Sequence, residues 1–229
     1  MTTPKNPKDM KARIVSKEIE YKGFLSLYKV TIEKERHEGG TETLNWLVMD
    51  RGHAVAVLAY DPKSDEVVLV NEMRPGMLWA GDHPYADNLI AGGIAKGESA
   101  VDAAVRETDE EAGLVLKDPI LVHPGAYVSS GGTSEKIAIV AGIVDMSKAG
   151  GIHGCANERE NIKSTILKAD EFIRQVKTGE IADLKTLVAG YWFIENRPAL
   201  QLKYAADKAA NADTKAGAAK KANDAFKPR

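Results

Sequence analysis

Apolar and polar residues alternate along the first part of the chain in the manner of β-strands. Three such segments, IVSKEIEY, FLSLYKVTIEKE and TETLNWLVMD, lie between about residues 13 and 50 and are separated by the turns YKG and HEGG. In the second segment, Val30 and Ile32 alternate with charged neighbours. The pattern predicts an antiparallel β segment at 13–50 that is too small to fold alone.

Longer apolar runs follow and predict a main domain at 51–200. HAVAVLAY (53–60) and EVVLVNEM (66–73) flank the turn DPKSD and indicate buried strands, and NLIAGG follows at 88–93. PILVHPGAYV and KIAIVAGIV predict two later strands, and STILKA predicts a short one after the polar loop at 151–163. DEFIRQVKTGEI and DLKTLVAGYWFIEN have the periodicity of amphipathic helices.

Both ends of the chain are polar. Residues 1–12 contain Pro4 and Pro7 and are predicted to be disordered. Residues 201–229 are rich in alanine and lysine, whose small or charged side chains bury little apolar area. We predict a solvated tail there that is at most partly helical, and a helix docked on a partner subunit is the alternative.

A helix is well specified between Ser99 and Gly113. Ser99 suits the N-cap with Asp102 three residues on, and glycine at 113 suits a left-handed C-terminal stop. The apolar positions at helical spacing predict a face toward the core, made by Val101, Ala104, Val105, Thr108 and Ala112.

The same helix carries an acidic cluster at Glu107, Asp109, Glu110 and Glu111. Like charges at helical spacing repel, and bound cations would turn that repulsion into attraction. Carboxylate oxygens are the ligands that Mg²⁺ prefers. A solvated acidic helix face is the alternative interpretation.

The composition narrows the class of protein further. The chain has 229 residues, 44% of them hydrophobic, and a net charge of −2, so no global charge favours nucleic acid or an anionic membrane as a partner. No segment has the apolar length of a signal peptide or a membrane span. Cys155 is the sole cysteine and excludes an internal disulfide. We therefore expect a cytoplasmic protein.

The residues from Gly92 to Leu114 resemble the Nudix box, the loop–helix signature of Nudix hydrolases. The match comprises Gly92, Glu98, the run Arg106-Glu107 and the run Glu110-Glu111-Ala112-Gly113-Leu114. Every charged and glycine position of the signature is filled, and Thr108 replaces one hydrophobic residue. The resemblance implies an α/β fold, an α/β/α sandwich around a mixed β-sheet, and hydrolysis of a nucleoside diphosphate linked to another group.

The resemblance also implies roles for residues of the box. Glu107, Glu110 and Glu111 and the backbone carbonyl of Ala91 would hold Mg²⁺ or Mn²⁺. Arg106 would orient the glutamates, and Glu98 would support the loop or bind metal through water. Bound divalent ions neutralise an anionic pyrophosphate and acidify a water molecule, which is what this hydrolysis needs.

Outside the box, RGHAVAVLAYDPKSDEVVLVNEMRPG, SSGGTSE and GGIHGCANERENI are similar to the ADP-ribose pyrophosphatase branch, over roughly residues 18–197. This similarity implies a homodimer in which the strand segment is exchanged between subunits. It also implies a general base on a late loop, matched by Glu158 or Glu160, which the sequence leaves open. The implied substrate contacts are Phe24, Trp46, Arg74, Ser129, Gly132 and Glu135, with Gly131 beside them.

The expected reaction is hydrolysis of ADP-ribose to AMP and ribose 5-phosphate. Ser130 departs from the branch, because ADP-ribose hydrolases tend to carry proline about sixteen residues past the box. A GDP-mannose or other nucleoside diphosphate sugar hydrolase is therefore the enzymatic alternative. A domain that senses ADP-ribose without cutting it is the non-enzymatic one, although degenerate Nudix domains usually lose box glutamates that this chain keeps.

Overall fold

The computed structural model describes residues 6–155, 157 and 160–225, and for residues 207 and 209–225 it describes the backbone alone. In these residues the chain forms eleven strands and four α-helices. The strands are β1 Ala12–Lys22, β2 Ser26–Glu35, β3 Thr41–Asp50, β4 Ala54–Asp61, β5 Glu66–Met73, β6 Tyr85–Asn88, β7 Ile90–Gly93, β8 Lys117–Tyr127, β9 Lys136–Ile143, β10 Ile152–His153 and β11 Ile162–Lys168. The helices are α1 Pro75–Ala80, α2 Ala100–Ala112, α3 Ala169–Thr178 and α4 Leu184–Ala225.

The first three strands form a separate antiparallel sheet in the order β1-β2-β3, as the alternating pattern predicts. Every residue of β1 is exposed, and Ile19 and Tyr21 expose more than half of their surfaces. Val30 in the middle strand is buried. The sheet therefore exposes much of its apolar surface in a single chain.

The second sheet is mixed and has the strand order β10-β11-β5-β4-β9-β8. β4 and β9 are parallel, and the other pairings are antiparallel. β4 pairs directly with β5 only near their connecting turn, from Ala59 to Asp61. Farther along, β7 pairs with β4 and β6 pairs with β5, so the sheet divides at the end where the Nudix box begins.

Helices cover both faces of this mixed sheet. On one face, Ala103, Ala104 and Ala112 of α2 pack in a core cluster with alternate residues of β4 and β5, such as Val55 and Val68. On the other face, side chains of α3 and α4 pack in a second cluster with the remaining alternate residues of these strands. This arrangement confirms the predicted α/β/α sandwich.

The buried face of α2 differs from the predicted one. Ala104, Thr108 and Ala112 are buried as expected, but Val105 is 39% exposed. Glu107 and Glu111 are buried in the same stripe, with 8% and 3% exposure. Apolar periodicity missed this orientation because it assigns every carboxylate to solvent.

Two helical segments also differ from expectation. α1, which was not predicted, connects β5 to β6. α4 runs through Ala225 with Pro198 inside it, although the sequence predicted a tail that is at most partly helical beyond residue 200. None of the helices in the described ranges combines the length and apolar character needed to cross a bilayer.

Asp183 caps the start of α4, and its loss is expected to destabilise the protein. Its Oδ2 accepts from the Thr186 amide at 3.0 Å, and its Oδ1 lies 2.8 Å from Lys185 Nζ. Burial works to raise the pKa of Asp183, but Lys185 and Thr186 outweigh it and hold the pKa below the ordinary 3.8. A lowered pKa stabilises the fold above the ordinary value and loses that contribution as the pH falls through the folded value.

We therefore expect Asp183→Ala to lower the free energy of unfolding by about 1 kcal/mol at neutral pH. The difference from the parent should shrink as the pH falls below 3.8. Urea unfolding at several pH values measures both effects. Asp145→Ala is the control, because Asp145 caps only a three-residue turn. An equal loss in both variants would contradict the prediction.

Candidate active site

The loop–helix motif has the predicted caps. Ser99 Oγ accepts from the Asp102 amide at 3.1 Å, and Gly113 adopts a left-handed conformation with φ of 64°. Thr108, the departure from the signature, is fully buried, and its hydroxyl donates to the Ala104 carbonyl at 2.6 Å. Because that hydroxyl has an acceptor, threonine fits this position at little cost.

Arg106 connects the loop to the helix by contacting three carboxylates. Its Nε lies 2.9 Å from Glu98 Oε1, and its Nη1 lies 2.7 Å from Glu107 Oε1 and 2.9 Å from Glu110 Oε2. Its Nη2 also donates to the Gly93 carbonyl at 2.8 Å. Arg106 thus links the loop to the helix, and its orienting role and the supporting role of Glu98 stay predictions.

Glu111 joins α2 to β7. Its Oε2 accepts from the Ala91 amide at 2.9 Å, so Ala91 and Glu111 are adjacent as predicted. Burial, with repulsion from Glu107 and Glu160, raises the pKa of Glu111 to about 8, and the Ala91 amide opposes the shift. The site therefore holds a carboxyl group whose negative charge is poorly compensated.

Glu107 lies directly against β7. A Cβ added to Gly92 would be 1.9 Å from Glu107 Oε1, so only glycine permits this approach. Burial raises the pKa of Glu107, Arg106 works against that shift, and Glu110 and Glu160 add to it. Burial and mutual repulsion thus disfavour the charged forms of these carboxyl groups at one end of the central sheet.

These carboxylates fit a divalent cation by their chemistry. Arg106 engages one oxygen each of Glu107 and Glu110, and the Ala91 amide engages one oxygen of Glu111. Within the described residues the second oxygen of each carboxylate has no hydrogen bond, and no three His, Cys, Asp or Glu side chains yet converge as a ready metal site. Hard oxygen donors such as these suit Mg²⁺ or Mn²⁺.

The two candidates for the general base differ in what can be described. Glu158 lies outside the described residues. Glu160 Oε2 accepts from the Cys155 amide at 2.9 Å. The charge of Glu160 also raises the pKa values of Glu107 and Glu111, so this carboxylate lies near the acidic cluster.

Arg74 lies at the same end of the sheet, immediately after β5. Its Nη1 lies 2.9 Å from Glu72 Oε2, and its charge lowers the pKa of Glu111 against the larger effect of burial. The guanidinium is therefore near the acidic cluster, and its contact with a diphosphate stays a prediction. Glu72 was not predicted, since a lone carboxylate near a strand end carries no sequence signal.

A second group of predicted residues lies beyond the end of β3. The guanidinium of Arg51 lies over the ring of Phe24, with its Cζ 5.7 Å from the ring centroid, and its Nε is 3.5 Å from Glu135 Oε1. Phe24 is 90% exposed, whereas Glu135 is buried. Sequence reasoning missed Arg51, because only the tertiary fold places it between an aromatic ring and a carboxylate far away in the chain.

The loop from Ser129 to Ser134 is fixed to β3 by its backbone. Trp46 Nε1 donates to the Gly131 carbonyl at 2.7 Å, and the Met49 amide donates to the Gly132 carbonyl at 2.8 Å. The Gly132 amide donates to the Ser129 carbonyl at 3.1 Å. An added Cβ at Gly131 or Gly132 would meet nothing within 4 Å, so the chain itself imposes no need for glycine there and leaves open space.

The acidic cluster and the group formed by Phe24, Arg51 and Glu135 lie at the same end of the central sheet. Ala54 at the start of β4 pairs with Gly93 on one side and with Ile137 of β9 on the other. Gly93 carries the Arg106 contact, and Glu135 lies just before β9. Gly93 and Ile137 are therefore two strand spacings apart, which is about 10 Å. One nucleotide-sized ligand can span this distance.

The chain is similar to known proteins. The model of the NUDIX domain family matches residues 50–149. The ADP-ribose pyrophosphatase of Escherichia coli (strain K12) is 34% identical over 84% of this chain and 92% of its own length. That of Haemophilus influenzae is 35% identical over 84% of this chain and 87% of its own.

More distant similarities extend the comparison. A GDP-mannose pyrophosphatase of Escherichia coli O1:K1 is 30% identical over 72% of this chain and 85% of its own length. A crystal structure of an ADP compounds hydrolase superposes with a TM-score of 0.61 at 18% identity, over 81% of this chain and 96% of that one, and so supports the fold. The chain belongs to the Nudix hydrolase family, in the branch that contains the ADP-ribose pyrophosphatases, and is a Nudix pyrophosphatase.

Proposed function

We propose that this enzyme hydrolyses the pyrophosphate bond of ADP-ribose to AMP and ribose 5-phosphate, with Mg²⁺ as the cofactor and Mn²⁺ as a substitute. The observation that carries the proposal is the group of buried carboxylates, Glu107 and Glu111 with Glu110 beside them, at the end of the sheet where Arg74 also lies. Nudix hydrolases generally use divalent metal. When bound, the metal neutralises the diphosphate and acidifies a water molecule.

Residues of the chain bind the cation, position its ligands and supply the general base. Glu107, Glu110, Glu111 and the carbonyl of Ala91 hold the cation, and Arg106 keeps the glutamates in position. The general base is Glu158 or Glu160, which takes the proton of the attacking water. Of the two, Glu160 lies in the described residues, and its charge acts on Glu107 and Glu111.

Recognition of the substrate falls to the remaining predicted residues. Phe24 and Trp46 offer aromatic surfaces for the base, and Arg74 contacts the diphosphate. Ser129, Gly132 and Glu135 line the space for the sugar, where Glu135 can accept from ribose hydroxyl groups. The position of Arg51 between Phe24 and Glu135 adds a cation to this group.

GDP-mannose is the second candidate substrate, favoured by the similarity to GDP-mannose pyrophosphatases and by Ser130 at the position of the branch proline. We expect kcat/KM for ADP-ribose to exceed that for GDP-mannose by at least about tenfold, because the more similar relatives are named for ADP-ribose. A panel of nucleoside diphosphate sugars with Mg²⁺, followed by product chromatography, measures the ratio. A ratio below one would replace ADP-ribose by GDP-mannose.

Metal removal gives an independent test of the cofactor. We expect EDTA to abolish hydrolysis and Mg²⁺ or Mn²⁺ to restore it, because the carboxylates alone repel the anionic substrate. Ca²⁺, which prefers more and longer oxygen contacts, is the control and should restore little. Full activity after exhaustive chelation would contradict the assignment of the metal.

We also propose that the enzyme is a homodimer that exchanges the sheet β1-β2-β3. This sheet exposes Ile14, Ile19 and Leu47 in one chain, each by more than half. Exposed apolar surface of this kind is typical of a site that another protein chain covers. Light scattering should give twice the mass of one chain, and a monomer at micromolar concentration would contradict the proposal.

A further inference from the structure

Arg74 has a backbone that is fixed on both sides. Its amide donates to the Pro84 carbonyl at 2.8 Å, and its carbonyl accepts from the Met77 and Leu78 amides at 3.1 and 3.2 Å. The residue stands where β5 ends and α1 begins. The direction of its long side chain therefore depends on what the guanidinium contacts.

The guanidinium has one charged partner and one unused edge. Nη1 lies 2.9 Å from Glu72 Oε2. Nε and Nη2 are buried and have no hydrogen-bond partner among the described residues. Buried donors without acceptors are costly. Nε and Nη2 form the side of the guanidinium that binds two oxygens of one phosphate or carboxylate.

Competing carboxylates surround this cation. Arg74 is close enough to Glu111 to oppose, weakly, the rise that burial causes in its pKa, and Glu160 acts on both Glu72 and Glu111. A guanidinium free to turn toward Glu111 would neutralise a carboxylate that the proposed metal site needs. An ion pair with Glu72 holds the cation in place on its own strand end.

The surroundings of Glu72 make the ion pair effective. The side chain of Glu72 is 23% exposed, so solvent screens its attraction to Arg74 only in part. Burial raises the pKa of Glu72, Arg74 works against that shift, and Glu160 adds to it. Removing Glu72 would thus leave the Arg74 cation without its closest carboxylate.

We propose that Glu72 is a positioning residue that holds the Arg74 guanidinium so that its Nε–Nη2 edge receives the diphosphate of the substrate. The proposal rests on the proposed function, because a diphosphate supplies the acceptor oxygens. Both nitrogens are buried and lack an acceptor in the described part of the chain, so the diphosphate would supply the oxygens that they lack. Glu72 acts through Arg74 and does not touch the reacting atoms.

The experiment is a double-mutant cycle of Glu72→Ala and Arg74→Ala. It measures KM and kcat for ADP-ribose with Mg²⁺, and by calorimetry it measures the Kd for ADP. We expect Glu72→Ala to raise KM and Kd by about tenfold and to change kcat by less than about threefold. In the Arg74→Ala background, Glu72→Ala should change KM and Kd by less than about twofold. Glu72→Gln, which keeps an acceptor oxygen for Nη1, should lie between the parent and Glu72→Ala.

Glu66→Gln is the matched control. Glu66 lies on the same strand, pairs with Lys168 at 2.7 Å and is 20% exposed, but it stands at the opposite end of β5. We expect it to leave KM and Kd unchanged. The melting temperatures of all variants distinguish a loss of the folded state from a misplaced Arg74 guanidinium.

Two results would overturn the proposal. One is an effect of Glu72→Ala on KM and Kd no larger than that of Glu66→Gln. The other is an effect of the same size with and without Arg74, which would show that Glu72 does not act through the arginine. If the parent hydrolyses no ADP-ribose, the proposed function fails, while the cycle on the Kd for ADP still decides the role of Glu72.

Discussion

Glu111→Gln should lower kcat for ADP-ribose by about a thousandfold, because a metal ligand that stabilises the transition state contributes several kcal/mol. Glu111 is buried, contacts the Ala91 amide at 2.9 Å and lies in the stripe shared with Glu107. Glutamine keeps the size of the side chain and an oxygen that can accept from Ala91. The loss therefore reports the charge of the carboxylate rather than its packing. Steady-state kinetics with saturating Mg²⁺ measures it.

Asp109→Asn is the matched control for this substitution. Asp109 lies on the same helix two residues earlier, and it is exposed. Neutralising it changes the net charge of α2 equally but removes no buried carboxylate. We expect its kcat to stay within about threefold of the parent. Equal losses in both variants would indicate a general effect of helix charge and would remove Glu111 from the metal site.

The Glu111→Gln variant should be at least as stable as the parent when metal is absent. Burial with nearby negative charges raises the pKa of Glu111 to about 8 from the ordinary 4.5. A carboxyl with a raised pKa favours the folded state while it is protonated, and that contribution is lost as the pH rises through the folded value. We therefore expect the parent to lose stability relative to Glu111→Gln as the pH increases from 4.5 toward 8.

Thermal unfolding in EDTA across this pH interval tests the expectation. A parent that gains stability over the variant as the pH rises would show that another group already compensates the charge of Glu111. The combination of lost activity and retained stability distinguishes a functional carboxylate from one that merely holds the fold.

Gly92→Ala should lower kcat by about a hundredfold, since a displacement of about 1 Å in a catalytic group can cost that much. An added Cβ would lie 1.9 Å from Glu107 Oε1 and 2.0 Å from its Cδ, so the carboxylate must move. Glu107 also contacts Arg106, and its movement would disturb the link from Arg106 to Glu98 and Glu110.

Gly93→Ala provides a close control. Gly93 is the next residue of β7, and an added Cβ there would meet nothing within 4 Å. Its carbonyl, which accepts from Arg106, is retained in the variant. We expect nearly unchanged kcat for Gly93→Ala. If kinetics and melting temperature show the two alanine variants to be alike, the close approach of Gly92 to Glu107 has no catalytic importance.

The strands and the box helix could be predicted from local patterns. Alternation at period two located β1, β2 and β3, and the caps at Ser99 and Gly113 located the ends of α2. Such features depend on neighbours within a few residues, so the local sequence is enough to predict them. The motif from Gly92 to Leu114 also indicated the family, because its charged and glycine positions stand at fixed spacing along one loop and one helix.

Contacts between distant segments could not be predicted in this way. The burial of Glu107 and Glu111 depends on β7 lying across α2, and the rotation that exposes Val105 follows from it. Arg51 meets Glu135 across 84 residues of sequence, and Glu72 pairs with Arg74 where the chain passes from β5 into α1. Local composition decides which element forms, but the charge environment of a side chain is a sum over whatever the fold packs around it. The sequence therefore identified the acidic residues of the site, and the tertiary structure alone decided which of them are buried, which cation compensates each one, and which carboxylates keep an oxygen free.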